Sequence, residues 1–195
     1  MDVATLADAL PTLALAVALA ACAGLRAWLP LLLAGALSRA GWLQLGESFR
    51  FLGSNKALTI FAIATAIELI GDKIPAVDHA LDLLGTPLRP AAGALLAASV
   101  LGLVTDPLTS VVLGTALGAP AALVPYAAKS VLRAASTTLT AGLANPVLSV
   151  MEDAATLMLF AIAVLVPLVV IAMLAVMLYL VARRFRHSRT AVPAA

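Results

Sequence analysis

The stretch AATLMLFAIAVLVPLVVIAMLAVMLYLVA, from Ala154 to Ala182, carries no charged side chain. A helix needs about 20 apolar residues to cross a hydrocarbon core of ~30 Å. At about 1.5 Å per residue this run reaches roughly 40 Å or more, so it must tilt, bend at Pro167 or emerge at one end. Arg183, Arg184, Arg186 and Arg189 follow it directly. Basic clusters beside a span are retained on the cytoplasmic side, which predicts a cytoplasmic C-terminus. The reading is one transmembrane domain over 1–182 and a basic cytoplasmic tail over 183–195.

Composition extends this reading to the whole chain. The sequence is 63% hydrophobic and 11% charged, with a mean hydropathy of +1.09, against roughly 45–50% apolar and about 25% charged for soluble domains. No water-facing surface can be built from it. Apolar and polar residues nowhere alternate over the ~10-residue segments of a β-barrel. Helices must therefore do the spanning, because backbone groups in lipid have to be satisfied within their own segment. The expected fold is all-α: a polytopic transmembrane helical bundle in a bacterial inner (plasma) membrane, with the lipid bilayer as its first partner. The net charge of +2 arises from the basic tail, so nucleic acid is not expected as a partner. A single cysteine, Cys22, excludes an internal disulfide. Leu19-Ala-Ala-Cys22 has the form of a lipoprotein cleavage box, but Asp2 and Asp8 precede it without any Lys or Arg. That is not a secretory n-region, and the stretch reads as a retained membrane element.

About six membrane elements are expected. The first, residues 10–37, is interrupted by Gly24, Arg26 and Pro30, the pattern of a broken or re-entrant helix. A connector over 38–56 follows, with Trp42, Phe49 and Phe51 among charges, as suits the headgroup zone. The second element covers 57–70. A short interfacial helix over 74–84 places Asp78, His79 and Asp82 opposite an apolar face. The third covers 91–105 and closes at Asp106-Pro107, the fourth 108–124, the fifth 125–143, and the sixth follows Asn145-Pro146. In the fourth, Gly114 and Gly118 have the small-residue spacing that allows close helix contact, and they suggest a homo-oligomer. Interruptions in the two halves, residues 10–105 and 108–182, resemble one another around Pro30 and Pro125, the pointer to an inverted repeat.

Ionisable groups at membrane depth are expensive, and each is a functional candidate until paired. Thr65, Glu68 and Asp72 share one face of the second element; Lys129, Arg133, Ser136 or Thr137, and Thr140 share one face of the fifth. Two such stripes face either a polar path or a seam of ion pairs. Arg26 lies at a helix break, where freed backbone groups beside a cation suit an anionic partner. Asn145 is a candidate cap for the last helix, with Glu152 and Asp153 in its first turns. The candidate pathway residues are thus Arg26, Glu68, Asp72, Lys129, Arg133, Glu152 and Asp153. No nucleotide loop, catalytic dyad or metal-ligand set is present in the sequence, so neither catalysis, a metal nor a cofactor is expected.

The combination of Ala23-Gly-Leu-Arg26 with Trp28 and Pro30, Glu68 with Gly71-Asp-Lys-Ile-Pro75 and Asp78, and Asn145-Pro146 with Glu152-Asp153 resembles a bacterial and plant membrane family, domain of unknown function 4126. The resemblance covers about residues 10–160 and implies a membrane location without an activity. Glu68-Leu-Ile-Gly-Asp-Lys73 is also similar to a motif of calcium and manganese cation/proton exchangers. It departs by one residue before the glycine, which rotates the acid by about 100° on a helix, and by Ile74 in place of a hydroxyl. The function expected is a small secondary transporter or channel for an ion or small charged solute. The alternative is a membrane scaffold or assembly factor whose charges only pair.

Overall fold

A computed structural model describes residues 3–189, which form helices and no strands. In chain order they are α1 (Val3–Leu25), α2 (Trp28–Arg39), a 3-10 turn (Glu47–Gly53), α3 (Asn55–Gly71), α4 (Pro75–Leu101), α5 (Pro107–Leu113), a π-helical turn (Gly114–Gly118), α6 (Ala119–Thr140), α7 (Asn145–Leu165) and α8 (Pro167–Arg189). Three stretches are long and apolar enough to cross a membrane: Leu84–Leu101, Pro107–Thr140 and Asn145–Leu165. A fourth arises if the 3-10 turn and α3, bent by 57°, act as one span.

Burial is arranged as lipid requires and water forbids. Arg26, Glu68, Asp72, Arg89, Lys129 and Arg133 are buried, whereas Ile60, Ile63, Ile67 and Ile70 on α3 and Leu139, Met151 and Met158 on α6 and α7 are exposed. An exposed apolar surface of this extent marks contact with membrane or protein.

α1 is the hub. Its residues Ala18 to Ala23 are wholly buried, as expected of a helix that is apolar all round. Their small side chains let α4, α6, α7 and α8 surround it. Gly24 lies so close to the Ala122 carbonyl of α6 that an added Cβ would collide with it. Cys22 is buried and donates its thiol to the Ala18 carbonyl at 3.3 Å.

The first expected element is broken, and the break falls at Arg26-Ala27. Pro30 does not cause it. Pro30 sits in the first turn of α2, where a missing N–H has no intrahelical partner to lose. Other expected boundaries are absent. The interfacial helix over 74–84 and the third element are one helix, α4, which runs through Pro87 and Pro90. The fourth and fifth elements form one continuous run over 107–140, and Pro125 lies inside α6. A helix in hydrocarbon can run through a proline where neighbouring helices and local adjustments satisfy the freed backbone groups. The terminal run is interrupted at Val166, before Pro167. The side chains of Asp78, His79 and Asp82 lie outside the described residues, as do those of Arg184, Arg186 and Arg189.

Close approach sets the packing of α4 against the run from α5 to α6. A Cβ on Gly114 would stand 2.6 Å from the Ala98 methyl, and one on Gly118 would stand 2.7 Å from that of Ala97. Gly93 faces Gly118 and Ala98 faces Gly114, so the two helices are antiparallel. Gly114 and Gly118 thus serve close contact with α4 of their own chain.

Candidate functional site

Three elements converge on the break between α1 and α2. α3 delivers Glu68 and Asp72 from its C-terminal end, α6 delivers Lys129 and Arg133, and α7 delivers Ser149, Glu152 and Asp153. α2 runs antiparallel to α3, since Trp28 meets Glu68 while Gly35 meets Leu58. α6 and α7 form an antiparallel hairpin in which Arg133 meets Glu152 and Thr137 meets Asn145. α6 continues about 16 Å beyond Lys129, at 1.5 Å per residue, and Arg26, Glu68, Asp72, Lys129 and Arg133 are buried.

Glu68 has a role the sequence did not announce. Its carboxylate accepts from the backbone N–H of Ala27 at 3.0 Å and of Trp28 at 3.2 Å. Helix N-termini carry unpaired N–H groups and a partial positive charge. Ala27, the residue preceding α2, has no side-chain capping bond of its own. The anionic group suited to the break is thus supplied by the chain itself, from a helix 40 residues away in sequence.

Arg26, fully buried, is the centre of the ionic network. Its Nη1 donates to Asp72 Oδ2. Its Nη2 donates to the Ser149 hydroxyl at 3.0 Å and the Ser149 carbonyl at 3.1 Å, and also contacts Asp153. Arg133 holds Glu152 in a bidentate fork, Nε to Oε1 and Nη2 to Oε2, both at 3.0 Å. The same Nη2 lies 3.4 Å from Asp72 Oδ2, the direct link between the α3 and α6 stripes. Lys129 Nζ lies 2.9 Å from Glu152 Oε2 and donates to the Leu25 carbonyl at 3.4 Å. Lys73, half-exposed, completes the set at 3.5 Å from Asp153. Arg26, Lys73, Lys129 and Arg133 thus balance Glu68, Asp72, Glu152 and Asp153.

The structure brings all seven sequence-predicted residues together, with roles redistributed. Glu152 and Asp153 do not serve the dipole of the first turn; they sit further along α7 and point into the network. Asn145 does not cap α7 but reaches across to the Thr137 hydroxyl at 3.2 Å. Of the α6 hydroxyls, Thr137 and Thr140 are exposed and donate to the carbonyls of Arg133 and Ser136 in their own helix. Ser136 is buried, and its Oγ, like Thr65 Oγ1 on α3, has no hydrogen-bond partner among the described residues. Ser149 and Thr156, both fully buried, were missed. They share the α7 face of Glu152 at helical spacing, a stripe that could have been read. The Arg89 guanidinium of α4 stacks 4.7 Å over the Tyr126 ring. Among the described residues no group of three or more His, Cys, Asp or Glu side chains is arranged for a metal ion.

The family described as Domain of unknown function (DUF4126) matches residues 13–187. The chain belongs to this family. The match runs beyond the 10–160 suggested by the sequence motifs and takes in every charge of the network and most of α8. No curated protein and no solved structure matches the chain.

Proposed function

We propose that this DUF4126 protein is a multi-pass protein of the bacterial inner membrane, and that the charge network is the central site of a small secondary transporter or channel for an ion or small charged solute. The carrying observation is that the acids are shared. Asp72 lies between Arg26 and Arg133, and Glu152 between Lys129 and Arg133, with Arg26 Nη2 at 3.9 Å. Each acid therefore has a second cation at hand. A charged solute can replace one partner without stranding a buried charge, which is the costly state. The buried, unpartnered hydroxyls of Thr65 and Ser136 add polar capacity beside the network. The reading is of a protein without catalytic activity and with no cofactor.

The finer topology is part of the same proposal: six membrane elements, with the C-terminus in the cytoplasm next to Arg183, Arg184, Arg186 and Arg189. An inverted repeat over 10–105 and 108–182 would need a break at Pro125 to match the one at Arg26. α6 is continuous there, so the transport reading does not lean on the repeat. Reporter fusions at residues 1, 48 and 195 test the orientation, and an extracytoplasmic signal from the last would invert it.

A specific observation favours a second reading, a membrane scaffold or assembly factor. Glu68 is engaged in capping, and the Thr137 and Thr140 hydroxyls are engaged by their own helix. Purified protein in liposomes separates the two. Flux of some member of a broad ion panel, lost in Asp72→Asn, supports transport; flux no greater than that of empty vesicles for every ion supports the scaffold.

A further inference from the structure

A groove of about 840 Å³ opens between α6, α7 and α8, within the size range of small-molecule sites, roughly 300–1,000 Å³. Its walls are apolar and include Met151, Met158, Met173 and Met177, and its polar end is formed by Lys129 and Glu152. Its occupant can be read from both ends. The apolar walls are continuous with the outer surface of the bundle, because Leu132, Met158 and Val176 line the groove and are each more than half exposed, at 59%, 65% and 57%. Whatever enters comes from the surrounding hydrocarbon. Thioether side chains adapt to a flexible chain better than branched ones do.

At the polar end, Lys129 offers three N–H donors, and Glu152 and the Leu25 carbonyl take two. Glu152 is independently held by the Arg133 fork. Lys129 can therefore turn toward a new anion while Glu152 keeps a cation. An arriving lipid anion would take up the remaining Lys129 donor while Glu152 stays in the Arg133 fork.

We propose that this groove binds an acidic phospholipid of the surrounding bilayer, with its acyl chain along the methionines of α7 and α8 and its anionic head on Lys129. The inference rests on the membrane location and not on transport, so a failed flux assay leaves it standing. The test uses the full chain in phosphatidylcholine vesicles doped with phosphatidylglycerol that carries a photoreactive acyl chain. A parallel arm carries the same chain on phosphatidylcholine. Adducts mapped by mass spectrometry should fall on Met158, Met173 and Met177 several-fold more than on Ile60, Ile63 and Ile67 of the exposed α3 face. The acidic lipid should label more strongly than the zwitterionic one, and Lys129→Gln should erase that preference. Ala172→Trp fills the groove from an exposed position and should remove most of the adducts while the protein stays folded. Even labelling of the groove and α3, equal labelling by the two lipids, or labelling indifferent to Ala172→Trp would each overturn the proposal.

Discussion

Replacing Glu68 by Ala tests the assignment of this acid as the cap of α2. The substitution removes the only side-chain acceptor seen for two backbone donors, the N–H groups of Ala27 and Trp28, at 3.0 and 3.2 Å. Glu68 is 6% exposed and Ala27 3% exposed, so water does not readily replace the carboxylate. A buried donor left unsatisfied costs about 1–3 kcal/mol, which gives about 2–6 kcal/mol for the two. The loss of a negative charge from beside a helix N-terminus adds up to about 2 kcal/mol. Glu68→Gln keeps one carbonyl oxygen and should lose about half as much. Equilibrium unfolding in mixed detergent micelles measures the stability loss, and amide hydrogen exchange reads Ala27 and Trp28 directly. Glu68→Ala should accelerate exchange at both amides. A loss below about 1 kcal/mol, or unchanged protection of both amides, would refute the capping role and return Glu68 to the ion pairs.

Three further outcomes are expected. Arg133→Met leaves Glu152 with a weaker set of partners and should cost about 3–5 kcal/mol; adding Glu152→Gln should fall short of additivity by more than about 0.5 kcal/mol, and additive losses in the same unfolding assay would mean the fork is not a unit. Gly24→Ala would gain about 1 kcal/mol of helix propensity, yet the new methyl meets the Ala122 carbonyl; overpacking of about 1–3 kcal/mol should win, and a raised melting temperature would contradict the α1–α6 contact. Asp106 caps α5 through the N–H groups of Leu108 and Thr109, both at 3.1 Å. Hydrogen bonds from Thr109, chiefly its side chain, hold the Asp106 carboxyl below its ordinary value. The folded value is the depressed one, so this stabilisation is present above the unfolded value and lost as pH falls through the folded one. Asp106→Asn should flatten that part of the acid dependence of thermal unfolding, and an unchanged profile would exclude it.

Fold class was legible because composition alone forbids a water-facing surface, and the helical spacing of Thr65, Glu68 and Asp72 and of Lys129 and Arg133 placed two polar stripes without coordinates. The break at Arg26 was legible for the same reason, a cation and a glycine inside an apolar run. Helix boundaries at Pro87, Pro90 and Pro125 were misread because packing can carry a helix through a proline, whereas at Pro167 the run is interrupted; the proline alone does not say which. Partner choice was not in the sequence at all. Periodicity tells which face of a helix a residue occupies, not which helix that face meets, nor at what depth. Tertiary packing alone decided that Glu68 would hold backbone N–H groups of α2 and no cation, that Glu152 would lie in the Arg133 fork with Lys129 beside it, and that Gly114 and Gly118 would face α4 of their own chain. A buried charge takes whichever counter-charge the fold brings within reach, and in this bundle the small residues of α1 set how closely the other helices can come.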